Sequence, residues 1–276
     1  EDVEQTRQEG ATGADRALEH DVRHLRCVGE REEMATWSEL EAELSLWAGA
    51  GEVPTFWWRD DDAQAPTGDL DRLIALSERF DAAMHLAVVP ADIDPGLAER
   101  LRASPGVYAT QHGFAHINHE ARGTGASEVG QTRELALQEA DMREGWRRMV
   151  AAELPNLVPV FVPPWNRLAL SNFYLRPNPS PVKGLLHFNA HIDPIRWKEG
   201  AKFAGTEKTL EQCVVHLRQR RTGEAEKAEP TCFCTHHLQT DEPTWAFSEA
   251  LMDRLTHGGR TKWTTLPQLI AEQGAG

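Results

Sequence analysis

The spacing of apolar positions changes character near Met34. Before it, residues 1–33 are rich in Glu, Asp, Arg and Gly and carry few large apolar side chains. Such a segment cannot bury enough surface to offset its ordering entropy, and it predicts at most a frayed helix over 14–25. The folded domain is therefore expected over 34–276, with 1–33 as a poorly ordered or non-native extension. Beyond Met34, apolar residues recur at helical spacing (Trp37, Leu40, Leu44, Trp47). Short apolar runs then alternate with amphipathic stretches. The pattern predicts strands over 53–58, 83–89, 106–111, 158–162, 185–189 and 231–235, with a short one over 262–265. It predicts helices over 69–80, 95–103, 132–153, 206–219 and 243–256, and one from Leu266. A Gly-rich loop covers 122–130, and Pro163-Pro164 stops the fourth strand.

Strand–helix alternation implies an α/β fold with a parallel sheet under helices, either open or closed into a (β/α) barrel. In both, functional residues gather at the C-terminal strand ends. The unusual residues of this chain fall there. Asp60, Asp61 and Asp62 follow the first strand, His112 the third, Pro163 to Arg167 the fourth, and His236 with His237 follow Phe233. His191 and Asp193 follow the strand expected at 185–189. Polar clusters at one end of separate strands converge in space.

Composition narrows the chemistry. The 276 residues are 40% hydrophobic, enough for a sizeable core. A formal net charge of −14 argues against nucleic acid and anionic membranes as partners. No apolar run approaches the ~20 residues that span a bilayer. No secretion signal is visible, and four scattered cysteines do not form a disulfide framework, so a cytoplasmic location is expected. Cys232 and Cys234 alternate within an apolar run and read as strand residues sharing a face.

Three adjacent aspartates at a strand end repel one another unless positive charge, such as a metal ion, sits beside them; the alternative is a solvated acidic turn capping the next helix. His112 and His116 are four apart, which in a helical turn puts both imidazoles on one face. His119 lies three further on, as a third ligand, a supporting residue or a substrate contact.

Together these clusters resemble the polysaccharide deacetylase family (NodB-homology, carbohydrate esterase family 4). Its first motif, an apolar strand ending in Asp-Asp-Gly, is similar to Phe56-Trp57-Trp58-Arg59 leading into Asp61-Asp62-Ala63. Its His-(Ser/Thr)-x-x-His motif matches His112-Gly113-Phe114-Ala115-His116 except at Gly113. Its Arg-x-Pro-Tyr-Gly resembles Val162-Pro163-Pro164-Trp165-Asn166, and its Leu-x-His strand end resembles Phe233-Cys234-Thr235-His236. Trp263 to Pro267 resembles the closing strand and helix. The motifs run in order from about Val53 to Ile270.

The resemblance implies a distorted (β/α) barrel, a divalent metal ion and removal of an N-acetyl group from a carbohydrate. Asp62, His112 and His116 would hold the ion, zinc first, with cobalt, nickel or manganese also compatible. Asp61 would be the general base and His236 the general acid. A register shift by one would make Asp60 the base and Asp61 the ligand, and His237 rivals His236. Val162 stands where the family has the arginine that orients the base; Arg59 or Arg167 could supply its charge. Alternation places Asn189, His191 and Asp193 on one side of a strand; the resemblance implies that Asp193 orients His236, and a strand-end turn at Pro194 is the alternative. Trp165 and Trp197 flank the motifs and are candidates for stacking on a sugar, with Asn166 nearby. The segment 168–182 holds three prolines and no clear covering helix, so one barrel unit reads as shortened. The competing readings are a cytoplasmic amidohydrolase acting on a small non-carbohydrate amide, and a carbohydrate-binding protein that keeps the pocket without turnover.

Deleting residues 1–33 is expected to leave the melting temperature almost unchanged in a thermal scan. A large drop would place those residues in the folded domain.

Overall fold

Nine residues, Thr55–Ala63, form the strand on which the sheet is built (β1). Parallel partners flank it on both sides. Met84–Val88 (β2) pairs along one edge and Thr231–Thr235 (β9) along the other. Val107–His112 (β3) pairs with β2, and Leu157–Val162 (β4) with β3. Lys262–Trp263 (β10) pairs with the start of β1 at Thr55 and Phe56. This is a computed structural model, and it describes residues 35–167, 169–170, 173–174 and 188–274. The expected extension over 1–33 lies outside the described residues, as does most of the proline-rich segment.

The sequence places helices between these strands by ordinary start signals. Thr36 and Glu39 form a capping box at Trp37–Gly49 (α1). Thr67 caps Gly68–Phe80 (α2), whose first turn carries Asp69 and Asp71 at the positive end of the helix dipole. Asp94 and Pro95 open Pro95–Arg102 (α3). Leu135–Ala151 (α4) and Thr206–Thr222 (α5) follow. Asp241 caps Glu242–Thr256 (α6), and Leu266–Gly274 (α7) ends the described chain. Two antiparallel pairs are added: Ala169–Leu170 (β5) with Phe173–Tyr174 (β6), and Ile195–Arg196 (β7) with Lys202–Phe203 (β8).

Alternation along β1 divides the interior in two. Phe56 and Trp58 face the helices and join the main core with Leu70, Leu73 and Leu251. Trp57 faces the other way, into a second cluster with Val158, Cys232, Cys234, Leu266 and Leu269. That second cluster is the inside of a curled sheet, with α7 filling its lower end. Curling is also required by distance. In a flat sheet β1 and β3 lie two spacings, about 10 Å, apart. Here His112 at the end of β3 reaches a carboxylate of β1 at 3.1 Å. The fold is thus the expected distorted (β/α) barrel. Among the described residues no pairing closes β4 onto β9.

Two expectations are corrected. The first strand does not stop at Trp58 but runs on through the aspartates, because β2 and β9 both pair with Asp60 and β2 pairs again at Ala63. The strand expected at 185–189 is absent from its described part. Residues 188–190 are irregular, and among the described residues this stretch bridges β9 in ladder fashion at Ile192–Phe233 alone.

His85 on β2 ties the two layers. Its Nδ1–H donates to the Trp58 carbonyl at 2.8 Å, and its Nε2 accepts from the Leu266 N–H at 2.9 Å. The second bond requires the neutral ring, and burial pushes its pKa from 6.5 down to about 4. The folded state therefore resists a proton that the unfolded chain takes up below pH 6.5. The stability this neutral ring preserves is whole above that value and is lost as pH falls towards 4. Between pH 7 and 5 the contribution is about 2 kcal/mol. In urea titrations at those two pH values, His85→Leu should show a pH-dependent loss smaller than wild type by that amount. An unchanged pH dependence would refute the assignment.

Candidate functional site

Three carboxylates in a row survive in β1 because each faces a different environment. Asp60 points with Phe56 and Trp58 towards the helix layer and is fully buried. It accepts from Thr235 Oγ1 at 2.7 Å, from the His237 N–H at 3.0 Å and from His237 Nδ1. Asp61 points with Trp57 and Arg59 into the barrel. A register irregularity lies between Asp60 and Ala63, and Asp62 within it has a φ of 73°. A bulge of this kind re-aims a side chain, and here it turns Asp62 towards the end of β3.

His112 closes β3. Its Nδ1 lies 3.1 Å from the Val162 carbonyl, an acceptor, so Nδ1 carries the proton. In the neutral ring Nε2 faces Asp62 Oδ1, also at 3.1 Å, with its lone pair. Burial lowers the His112 pKa, but the Asp61 charge and the hydrogen bond with Asp62 outweigh it and raise the pKa, so a second proton on Nε2 joins the pair when no ion is bound. His116 Nε2 lies 3.2 Å from the same oxygen. The two histidines do not share a helical turn, as their spacing suggested. His112 ends the strand, and a tight turn with left-handed Gly113 and His116 (φ 56° for both) brings the second ring back. Burial alone would raise the Asp62 carboxyl. The hydrogen bond from His112 and the charges of His112, His236 and His116 outweigh it and hold the carboxyl at about 2. Burial holds the His116 pKa below the usual histidine value.

Asp61 is held by Arg59, two residues earlier on the same face. The guanidinium donates from Nη2 to Asp61 Oδ2 at 2.9 Å and to Asn166 Oδ1 at 2.6 Å, and its Nε lies 2.8 Å from Oδ1. Burial raises the Asp61 carboxyl, but the Arg59 charge and those of His112 and His236 bring it below the usual range. The cation beside Asp61 is therefore Arg59. The guanidinium of Arg167, which is exposed, instead lies over Gly125, where an added Cβ would meet Nη1 at 1.5 Å.

His236 Nε2 lies 3.8 Å from Asp61 Oδ2. Its Nδ1 is buried and has no hydrogen-bond partner among the described residues. His237 faces the opposite layer with Asp60, so the pair separates. Asp193 does not reach His236, contrary to expectation. Its carboxylate accepts from the Ile195 N–H and from Trp197 Nε1, both at 2.8 Å, and Trp197 sets its edge against the His236 ring with centroids 4.6 Å apart. Asn189 and His191 leave the site altogether and meet Glu229 near the start of β9. The expected common side for Asn189, His191 and Asp193 fails because this stretch is not a strand. His119 is exposed, and its backbone rather than its ring ties the loop.

Two tryptophans flank the opening. Trp165 is 38% exposed, with its ring 4.3 Å from that of His116, and Trp197 is 47% exposed. Trp57, Trp58 and Trp245 are core. Trp165 and Asn166 are consecutive left-handed residues (φ 57° and 52°), a costly arrangement for side chains of this kind. The Asn166–Arg59 bond and the Asn166 N–H to Pro163 carbonyl bond hold it. One buried residue escaped the sequence reading. The Glu128 carboxylate accepts from the backbone N–H groups of Phe114 and Ala115 at 2.9 and 2.8 Å. Its only sequence signal is Gly113 standing where the resembled motif has Ser or Thr.

No family model matches the chain, and no curated protein matches it. Solved structures are similar to it in fold. One is a family 4 acetyl xylan esterase from Clostridium thermocellum in complex with a cobalt ion, at 15% identity and TM-score 0.48 over 80% of this chain and 92% of that one. Another is a family 4 carbohydrate esterase from Streptomyces lividans in complex with acetate, at 13% identity and TM-score 0.45 over 80% and 90%. A third is the catalytic domain of a peptidoglycan N-acetylglucosamine deacetylase from Eubacterium rectale, at 14% identity and TM-score 0.45 over 78% and 90%. The likeness is one of fold, and the chemistry of the site rests on its own residues.

Replacing Arg59 by Met leaves the buried Asp61 carboxylate without its cation. Urea unfolding of the metal-free protein should then show a loss of about 3–5 kcal/mol. A loss of less than about 1 kcal/mol would mean that the Asp61 charge is balanced elsewhere.

Proposed function

We propose that this protein is a metal-dependent hydrolase that removes an acyl group, an N-acetyl group of a carbohydrate in the first instance. The observation that carries this reading is the meeting of three potential ligand atoms. Asp62 Oδ1 lies 3.1 and 3.2 Å from the Nε2 atoms of His112 and His116. Acceptors at such distances need a proton or a cation between them. Ligand atoms around a tetrahedral ion with bonds of ~2.0–2.1 Å stand about 3.3 Å apart, close to the spacing here. The Val162 carbonyl fixes the His112 tautomer that leaves Nε2 available, as an outer partner does for a metal-bound histidine. Asp62, His112 and His116 would hold the ion. Zinc is the first candidate for this nitrogen–oxygen set, and cobalt, nickel and manganese are compatible. When bound, a divalent ion there polarises an acyl carbonyl and makes a coordinated water more acidic.

The other residues take roles set by their positions. Asp61, ionised beside Arg59, accepts the proton of the attacking water as general base. Its low pKa makes it a weak base but keeps it in the acceptor form. His236, across from Asp61, gives a proton to the departing amine, which otherwise leaves poorly. Trp197 holds the His236 ring against drift. Asp60 and His237 secure the strand ends from the far side, so the register with Asp61 as base and Asp62 as ligand is the one we favour. Trp165 and Trp197 offer exposed aromatic faces for a sugar ring. Among the described residues no helix is long and apolar enough to cross a membrane. Cys213, Cys232 and Cys234 are unpaired, which supports the cytoplasmic location within this proposal.

Equilibrium dialysis against cobalt or zinc should find one ion at this site, lost in Asp62→Ala and in His116→Ala. Asp61→Asn should keep the ion but release acetate from N-acetylated sugars about a hundredfold more slowly or less. Near-normal turnover in Asp61→Asn would overturn the register. Release from simple amides alone would move the substrate to a small amide. Ion uptake without any acyl release would leave a binding protein.

A further inference from the structure

Glu128 is 98% buried in the loop that follows the histidine turn, with a relative exposure of 2%. Its carboxylate accepts from the N–H groups of Phe114 at 2.9 Å, Ala115 at 2.8 Å and Ile117 at 3.5 Å. These amides bracket His116. Successive backbone N–H groups turned onto one anion form a nest, and here the anion is a side chain of the same chain. The match between turn and carboxylate is close. A Cβ on Gly113 would meet Glu128 Oε2 at 1.9 Å and Pro164 Cγ at 2.5 Å. Glycine at that position is therefore what admits the carboxylate.

The turn needs such support. His116 is a non-glycine residue with a φ of 56°, a conformation that costs on the order of 1 kcal/mol and persists only where neighbours enforce it. Without it the ring would not return to Asp62. The loop carrying Glu128 is itself tied down. Asn118 Oδ1 accepts from the Ser127 and Glu120 N–H groups, and the His119 N–H donates to the Ser127 carbonyl at 3.0 Å.

We propose that Glu128 is a positioning residue for the ion site. By filling the nest of the 113–117 turn it holds His116 Nε2 at Asp62, and so sets the affinity of the site for its divalent ion. The inference rests on the metal reading given above. His112, fixed instead by Val162, does not depend on Glu128.

The test is a cobalt titration of the full chain and of Glu128→Gln, each with and without His116→Ala, together with amide hydrogen exchange on the metal-free proteins. Gln keeps the volume but turns an amide donor towards backbone donors. Glu128→Gln should weaken cobalt binding about tenfold or more. It should add no further loss once His116 is Ala, and it should speed exchange at Phe114 and Ala115 while β1 stays protected. Wild-type affinity in Glu128→Gln overturns the inference. So does an equal loss in both backgrounds, since that would make Glu128 general support for the fold. If Glu128→Gln does not fold, Glu128→Asp, which keeps the charge and shortens the reach, is read by the same criteria. A wild-type chain that takes up no cobalt refutes the metal reading and this inference with it. Cobalt uptake lost in Asp62→Ala but untouched in the Glu128 variants refutes the inference alone.

Discussion

Adjacent like charges on a strand must be sent to different partners, and this molecule is arranged around that requirement. Two carboxylates 4 Å apart repel by about 4 kcal/mol at an effective dielectric constant near 20. The pleat separates Asp60 from Asp61, and the bulge separates both from Asp62. Each then takes its own cationic or hydrogen-bonding group, two of them from distant parts of the chain. Asp60 takes Thr235 and His237 from the end of β9, Asp61 takes Arg59, and Asp62 takes the two histidines beyond β3. Satisfying the three charges pulls β9 and β3 towards β1 from opposite sides. The curl of the sheet and the assembly of the site are two results of the same interactions.

Arg59 shows how such a requirement can be met from a new position. The resembled motif has arginine where this chain has Val162. A departure of that kind looks like a lost function when the residues are read one by one. In the folded chain the guanidinium arrives from two residues upstream on β1, on the same face as Asp61 because side chains alternate with a period of two. Val162 still serves the site, but through its carbonyl, which accepts from His112 Nδ1 and from the Gly113 N–H. A backbone acceptor imposes no demand on side-chain identity.

Most of the fold was legible in the sequence. Apolar runs bounded by breakers located β2, β3, β4 and β9 to within a residue or two, and helical spacing of apolar residues located α2 and α3. Convergence of polar residues at the strand ends followed from the alternation alone. What escaped depends on partners far away in sequence. Three aspartates read as the end of a strand, because nothing local reveals that Thr235 and His237 wait some 175 residues on. The spacing of His112 and His116 suggested a helix, because periodicity does not register two left-handed residues in a turn. Glu128 was invisible for the same reason, since an acidic residue in a Gly-rich loop reads as solvated. Asn189, His191 and Asp193 were assigned by strand alternation to a stretch that pairs only at Ile192.

A second cluster of two histidines and a carboxylate shows why composition alone does not define a metal site. His191, His216 and Glu229 bring their side chains together near the start of β9, much as Asp62, His112 and His116 do at the other end. The difference lies in what each ring's other nitrogen touches. His112 Nδ1 faces a carbonyl, so in the neutral ring Nε2 is an acceptor, and its contact with the Asp62 carboxylate needs an added proton or a cation. His191 Nδ1 accepts from the Cys232 N–H at 2.9 Å, so in the neutral ring Nε2 carries the proton and faces Glu229 Oε1 at 3.4 Å as a donor. That pair is complete without an ion. Burial raises the Glu229 carboxyl, but the hydrogen bonds from His191 and Asn189 outweigh it and hold it at about 2. The His191–Glu229 contact is therefore complete with neutral rings, while the His112–Asp62 contact calls for an added proton or a cation. The backbone groups behind the rings decide between them.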